Sequence, residues 1–206
     1  MIKKINVIGD SHCSIYLEQN RIANGGVWEQ SGDFNIMHLG PLTAYNVCDK
    51  PEAISTSQAI SNDEYILYSF GEIDCRCRIG RSDNPKENMI KILQRYFSFI
   101  ESQQNKNIIL TNITPCLVEE PMKDWFNEDI SRKETFTATR GTLEERNKYK
   151  LDFSNQLKEF CKYKNYIYVD FWDMVYDKKE LYMDDVHLNG EKIGKNIKTL
   201  ILNQIL

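Results

Sequence analysis

No run of about 18 apolar residues occurs anywhere in this 206-residue chain, so a helical membrane span is excluded. Nor does one sign of charge dominate. Lys and Arg number 26 against 30 Asp and Glu, for a net charge of −4. A chain without a basic field is not built to hold nucleic acid. Cysteine supplies no metal-binding pattern. Of Cys13, Cys48, Cys75, Cys77, Cys116 and Cys161, only Cys75 and Cys77 are close, and one C-x-C lacks the second pair or nearby histidine that zinc requires. Gly9-Asp10-Ser11 lacks the glycines of a dinucleotide fingerprint or a P-loop, so no nucleotide cofactor is expected. No motif calls for a metal or an organic cofactor. There is no internal repeat and no low-complexity segment.

What is present describes one ordinary domain. The chain is 41% hydrophobic and 27% charged, and its dense Ile, Leu, Tyr and Phe content excludes disorder. At about 150 residues per domain, a single domain over residues 1–206 is expected, long enough to bury a continuous core. Met1-Ile2-Lys3-Lys4-Ile5 has a basic start, but the apolar run Ile5 to Ile8 is too short for a signal-peptide core and ends at Gly9-Asp10. The expectation is a cytoplasmic protein with reduced thiols.

Short apolar runs alternate with long amphipathic ones. Strands are expected at Lys4–Ile8, Phe34–Leu39, Glu64–Phe70, Asn107–Asn112 and Tyr166–Phe171, near-continuously apolar as for parallel strands covered on both faces. Three helices have recognisable starts. Asn84-Pro85-Lys86-Glu87 places an N-cap, a proline at N1 and a glutamate at N3; Thr142-Leu143-Glu144-Glu145 is a second capping box; Asn189-Gly190 opens the last helix. Their apolar stripes, among them Tyr149, Phe153, Leu157 and Phe160, are core-facing surfaces. The pattern predicts an α/β fold, a three-layer α/β/α sandwich on a mainly parallel five-stranded sheet. Ligands in such folds bind at the loops after the strand C-termini. The irregular stretch 115–141 is expected to be a lid or binding loop, or a surface insertion that merely covers core.

Four loops carry chemistry-bearing residues. Ser11 follows the first strand, at a strand-to-helix turn that exposes its Oγ beside backbone N–H groups. The same position suits a plain N-cap. Asp184-Asp185-Val186-His187 sets a carboxylate three residues before a histidine, close enough to fix its tautomer and leave Nε2 free as a base. Gly40 follows the second strand, where its N–H can point into a pocket. After the third strand, Gly71, Glu72, Asp74, Arg76, Arg78 and Arg81 crowd one short loop, either a polar site or a set of satisfied ion pairs. The chain has only three histidines, His12, His38 and His187, and on the D-x-x-H spacing alone His187 also reads as a surface histidine. For orienting His187 the three-residue spacing favours Asp184 over Asp185, and His38 sits inside an expected strand as a core histidine.

Together these loops resemble the four sequence blocks of the SGNH/GDSL hydrolase superfamily, in the same order and across nearly the whole chain. The resemblance implies an SGNH, flavodoxin-like sheet and a catalytic triad of Ser11 as nucleophile, His187 and Asp184, with Ser11 and Gly40 as oxyanion donors. It departs at the third block, where the family's G-x-N-D reads Gly71-Glu72-Ile73-Asp74, and Ile73 cannot donate as the asparagine does. Arg76 is the candidate substitute. The run Gly71-Glu72-Ile73-Asp74-Cys75-Arg76 resembles a subgroup associated with bacterial surface-polysaccharide genes.

The implied activity is a serine esterase or acyltransferase on an O-acylated, O-acetylated carbohydrate. Gly71, Glu72, Asp74, Arg76 and Arg78 are expected to contact substrate, because guanidinium groups suit an acidic sugar or a phosphate. Trp28, Tyr45, Trp125 and Phe126 are candidates for stacking on sugar faces. The partner expected is a small-molecule or glycan ester. Two other readings stand beside this one: a catalytically weak binding or accessory protein, and a transferase using activated sugars.

Overall fold

A computed structural model describes residues 3–105, 107–117 and 141–206. Each strand forms where a short apolar run must be covered from both sides. The strands β1 (Ile5–Gly9), β2 (Trp28–Ser31), β3 (Phe34–His38), β4 (Tyr65–Ser69), β5 (Ile108–Thr111) and β6 (Ile167–Val169) make one sheet in the order β2-β3-β1-β4-β5-β6. All neighbours are parallel except β2 with β3. Alternate residues divide the core between the two faces. Ile8, Ile66, Tyr68 and Leu110 pack to one side; Val7, Leu67 and Ile109 pack to the other.

The first face is covered by α1 (Pro51–Gln58), α2 (Pro85–Ser102) and α3 (Leu143–Lys164). The second is covered by a 3₁₀ helix over Ser11–Leu17 and by α4 (Gly190–Ile205). The architecture is therefore the α/β sandwich expected. The Asn84 side chain accepts from the Glu87 N–H, and Thr142 and Glu145 complete a capping box, so two of the expected helix starts are built as read. Asn189 caps α4 by accepting from the Glu191 N–H.

The sheet has six strands where five were expected. Strand β2 is short, polar and half exposed, and only its antiparallel pairing with β3 across the Gly32-Asp33 turn makes it a strand. An edge ribbon with one solvated face carries no continuous apolar run to read. Helix α1 also escaped the periodicity, being eight residues with just Ala53 and Ser57 buried. The expected lid lies almost wholly outside the described residues.

Helix α4 fixes the segment that carries Ser11. Gly194 lies so close to that segment that a Cβ built on it would sit 2.4 Å from the Ile15 carbonyl oxygen. The missing side chain is what lets α4 and the 3₁₀ helix touch backbone to backbone. Among the described residues no helix is long and apolar enough to cross a membrane.

Candidate active site

The parallel strands end in register at one sheet edge, and their following loops supply the site. Strand β1 delivers Asp10, Ser11 and His12; β3 delivers Gly40; β4 delivers Gly71 through Arg78. Asp10 caps the 3₁₀ helix, with its Oδ1 accepting from the His12 N–H at 2.9 Å and its carbonyl from the Cys13 N–H at 3.1 Å. The helix that begins at Ser11 is thus a seven-residue 3₁₀ helix, and two of its first amides are spent on Asp10.

Ser11, 176 residues before His187 in the chain, meets it directly: Ser11 Oγ lies 2.7 Å from His187 Nε2. On the other side of the ring, His187 Nδ1 lies 2.7 Å from Asp184 Oδ2. Asp184 Oδ1 accepts from the backbone N–H groups of Val186 (2.8 Å) and His187 (2.7 Å), so the carboxylate is locked onto its own turn. Burial works to raise the Asp184 pKa. The His187 hydrogen bond and charge, with the two amides, outweigh it and hold the carboxyl at about 2. With Nδ1–H donating to Asp184, Nε2 is the acceptor for the Ser11 hydroxyl. Asp185 is exposed and meets the rest of the chain through its carbonyl, which accepts from the Leu117 N–H.

Gly40 sits just past β3 with φ +78°, in the left-handed region that favours glycine. The Leu39 N–H donates to the Gly9 carbonyl, so Gly40 leaves the sheet beside the turn bearing Ser11.

The β4 loop is a buried charge cluster. Gly71 has φ +117°, and a Cβ there would lie 3.0 Å from both Ile113 and Phe153. Glu72 is buried; its Oε1 accepts from Lys150 Nζ at 2.8 Å and from Arg76 Nε at 3.0 Å. Lys150 itself has no exposed side-chain surface. Burial would raise the Glu72 pKa, but Arg76, Lys150 and His12 together hold it well below the usual carboxylate range. Asp74 is buried beneath a π-helical turn over Asp74–Arg78, accepting from the Ala44 N–H at 2.6 Å and facing Arg78 Nε at 3.5 Å. Of the five residues expected against substrate, Gly71, Glu72 and Asp74 therefore face inward, and Arg76 and Arg78 are partly exposed. Arg78 also lies over the Tyr45 ring, 4.4 Å from its centroid. Ile73 is half-buried on the rim of an open depression of about 360 Å³ that Thr43, Arg78, Arg81, Ser82 and Asn88 also line.

Burial pushes the Asp74 carboxyl up to about 7, against the pull of Arg78 and the amides of Ala44 and Tyr45. A raised folded-state pKa means that the proton favours the fold. That stability is full below about pH 4, the unfolded value, and is lost as pH rises through 7. Asp74→Asn, neutral throughout, should flatten the fall in urea-unfolding stability between pH 5 and pH 8. Equal falls in variant and wild type would overrule this assignment.

His38 Nδ1–H donates to the Ala23 carbonyl, 2.9 Å away, as a histidine satisfied within the fold. His12 is the residue whose role the sequence pattern missed. Its ring stacks on that of His187, with centroids 4.6 Å apart.

No sequence family matches the chain, and no curated protein does. Solved structures do. A member of the lipolytic protein G-D-S-L family from Veillonella parvula superposes with TM-score 0.58 at 13% identity, covering 98% of this chain and 97% of that one. A variant of Axe2, an acetylxylan esterase from Geobacillus stearothermophilus, gives TM-score 0.59 at 14% identity, covering 98% and 94%. The fold is that of the SGNH/GDSL hydrolases. In this fold Ser11 and His187 come from opposite ends of the sequence, and the topology joins them at one sheet edge.

Proposed function

We propose that this chain is a serine hydrolase of the SGNH/GDSL superfamily, an esterase or acyltransferase acting on O-acylated, chiefly O-acetylated, carbohydrate. The observation that carries the reading is the continuous hydrogen-bonded line Ser11 Oγ, His187 Nε2, His187 Nδ1, Asp184 Oδ2, with 2.7 Å at both contacts. Nothing in folding alone asks a half-exposed aspartate, a histidine and a serine to align in this order. In the reaction His187 takes the Ser11 proton as Oγ attacks the ester carbonyl, and Asp184 stabilises the imidazolium. The N–H groups of Ser11 and Gly40 face the oxyanion. Collapse of the tetrahedral intermediate releases the sugar hydroxyl with the proton from His187, leaving an acyl-Ser11. Water or a second hydroxyl then takes the acyl group by the same route in reverse.

The carbohydrate assignment draws support from the acetylxylan esterase among the similar folds and from Arg76 and Arg78 beside the site. Arg78, partly exposed on the depression rimmed by Ile73, suits a carboxylate or phosphate on the substrate. One observation favours a second reading, a sugar- or phosphate-binding accessory protein: Ile73 stands where the superfamily's asparagine donor is expected, and losing one such donor typically costs about 10²–10³ in rate.

Fluorophosphonate labelling separates the two. The hydrolase reading expects rapid labelling of the wild type and none of Ser11→Ala. A folded wild type that resists the probe would move the assignment to the binding protein, with phosphorylated sugars as the first ligands to screen.

A further inference from the structure

We propose that His12, held as an imidazolium between two carboxylates, keeps the stacked His187 in its neutral, proton-accepting form and so extends the activity of the site toward acid pH. The proposal rests on the reading of His187 as general base.

The geometry specifies the charge. His12 is the residue after Ser11, and its side chain is only 7% exposed. Its Nδ1 lies 3.1 Å from Asp10 Oδ1, and its Nε2 lies 3.6 Å from Glu72 Oε2. His12 Nδ1 is in hydrogen-bonding range of Asp10, and Nε2, which makes no hydrogen bond among the described residues, lies within ion-pair range of the Glu72 carboxylate, so two negative groups flank the ring. Burial alone would strip the proton from His12, but Glu72 and Asp10 outweigh it and raise its pKa; Lys150 opposes them. Asp10 is itself fixed by accepting from the His12 amide, and Glu72 by Lys150 and Arg76. Both carboxylates are therefore held in place by partners other than the His12 ring.

The consequence falls on His187. Its ring lies nearly parallel to that of His12, at an interplanar angle of 29°. A second proton placed there would set two like charges within about 5 Å, a spacing at which neighbours shift proton affinity by about one unit or more. The charged groups around the pair are few. Among the described residues, Asp10 on the turn after β1, Glu72 from the β4 loop, itself paired with Arg76, and Lys150 from α3 face His12, and Asp184 is the carboxylate that hydrogen-bonds to His187. With His12 charged, the described part of the cluster already carries three cations against two carboxylates, and a proton on His187 leans on Asp184.

The chain's three histidines make the test tractable, since each imidazole gives its own ¹⁵N signals and His38 serves as an internal reference. In the wild type His12 is expected to lose its proton at a higher pH than His187. The substitution His12→Gln keeps a polar side chain against Asp10 and Glu72 and removes the charge. Its acid limb of kcat/KM on p-nitrophenyl acetate should move up by about one pH unit, giving a loss that approaches about tenfold on the acid side of both limbs and a near wild-type alkaline plateau.

An unmoved limb, or an equal loss at every pH, overturns the proposal and leaves His12 a packing residue. If neither protein turns over substrate, the hydrolase reading fails on its own, and the ¹⁵N shifts still decide: at pH 6 those of His187 move toward the imidazolium in His12→Gln, or the coupling does not exist. Should the variant not fold, the wild-type order of titration decides alone, and His187 losing its proton last refutes the idea.

Discussion

Replacing His187 with alanine is expected to lower kcat/KM on p-nitrophenyl acetate by about 10⁴-fold or more, because without Nε2 at 2.7 Å nothing in the site can take the Ser11 proton. The companion Asp184→Asn should cost less. A buried triad aspartate is worth about 10⁴ in kcat. The Asp184 side chain is 50% exposed, so water can partly replace it, and about 10²–10³ is expected. The variant carboxamide also presents an N–H where the His187 Nδ1–H needs an acceptor, which favours the wrong tautomer. Asp185→Ala is the control, since the contact made by Asp185 is through its backbone and survives the change. Activity of Asp184→Asn within threefold of wild type, or an equal loss in Asp185→Ala, would remove the aspartate from the mechanism. The hydrogen bonds it accepts from Val186 and His187 would then be merely a turn.

How much of this was legible depended on range. Strands β1, β3, β4, β5 and β6 could be read because burial on both faces writes an uninterrupted apolar run, and their observed ends fall within two residues of those expected. Ser11, Asp184 and His187 could be singled out through the resemblance to the superfamily's first and last blocks, because a serine at a strand end suits a plain N-cap as well and aspartate three residues before histidine is a common spacing. What escaped was whatever a local pattern does not encode. Strand β2 depends on a partner, and the π-helical turn after Ile73 depends on burying Asp74 under the Ala44 amide, 30 residues away. The stack of His12 on His187 likewise joins opposite ends of the chain. One signal was available and unused. Arg146 and Lys150 fall on the same helical stripe as Phe153, Leu157 and Phe160, and cations on a core-facing stripe call for a buried counter-charge. Both are fully buried, and for Lys150 the counter-charge is Glu72.

That pairing sets the largest stability effect expected. Glu72→Gln removes the buried carboxylate that pairs with the fully buried Lys150 and also with Arg76, and an uncompensated buried cation such as Lys150 costs about 3–5 kcal/mol. Urea unfolding near pH 7 should show the midpoint falling with an unchanged slope. The depressed Glu72 pKa fixes the sign of the pH dependence. The stability it contributes is present above the ordinary value of 4.5 and is lost as pH falls through the lower, folded value, so the gap between variant and wild type should narrow in acid. Adding Lys150→Met should return much of the loss, because a methionine fills the buried volume with no charge to solvate and Arg76, partly exposed, can reach water. The doubly changed protein also separates fold from function. It recovers stability but leaves His12 with only Asp10 facing it, so the acid limb of its activity should lie at higher pH than that of the wild type. A loss below about 1 kcal/mol in Glu72→Gln would mean that the interior around Lys150 is far more polar than its burial implies, and that the cluster beneath Ser11 is not the rigid base on which the site stands.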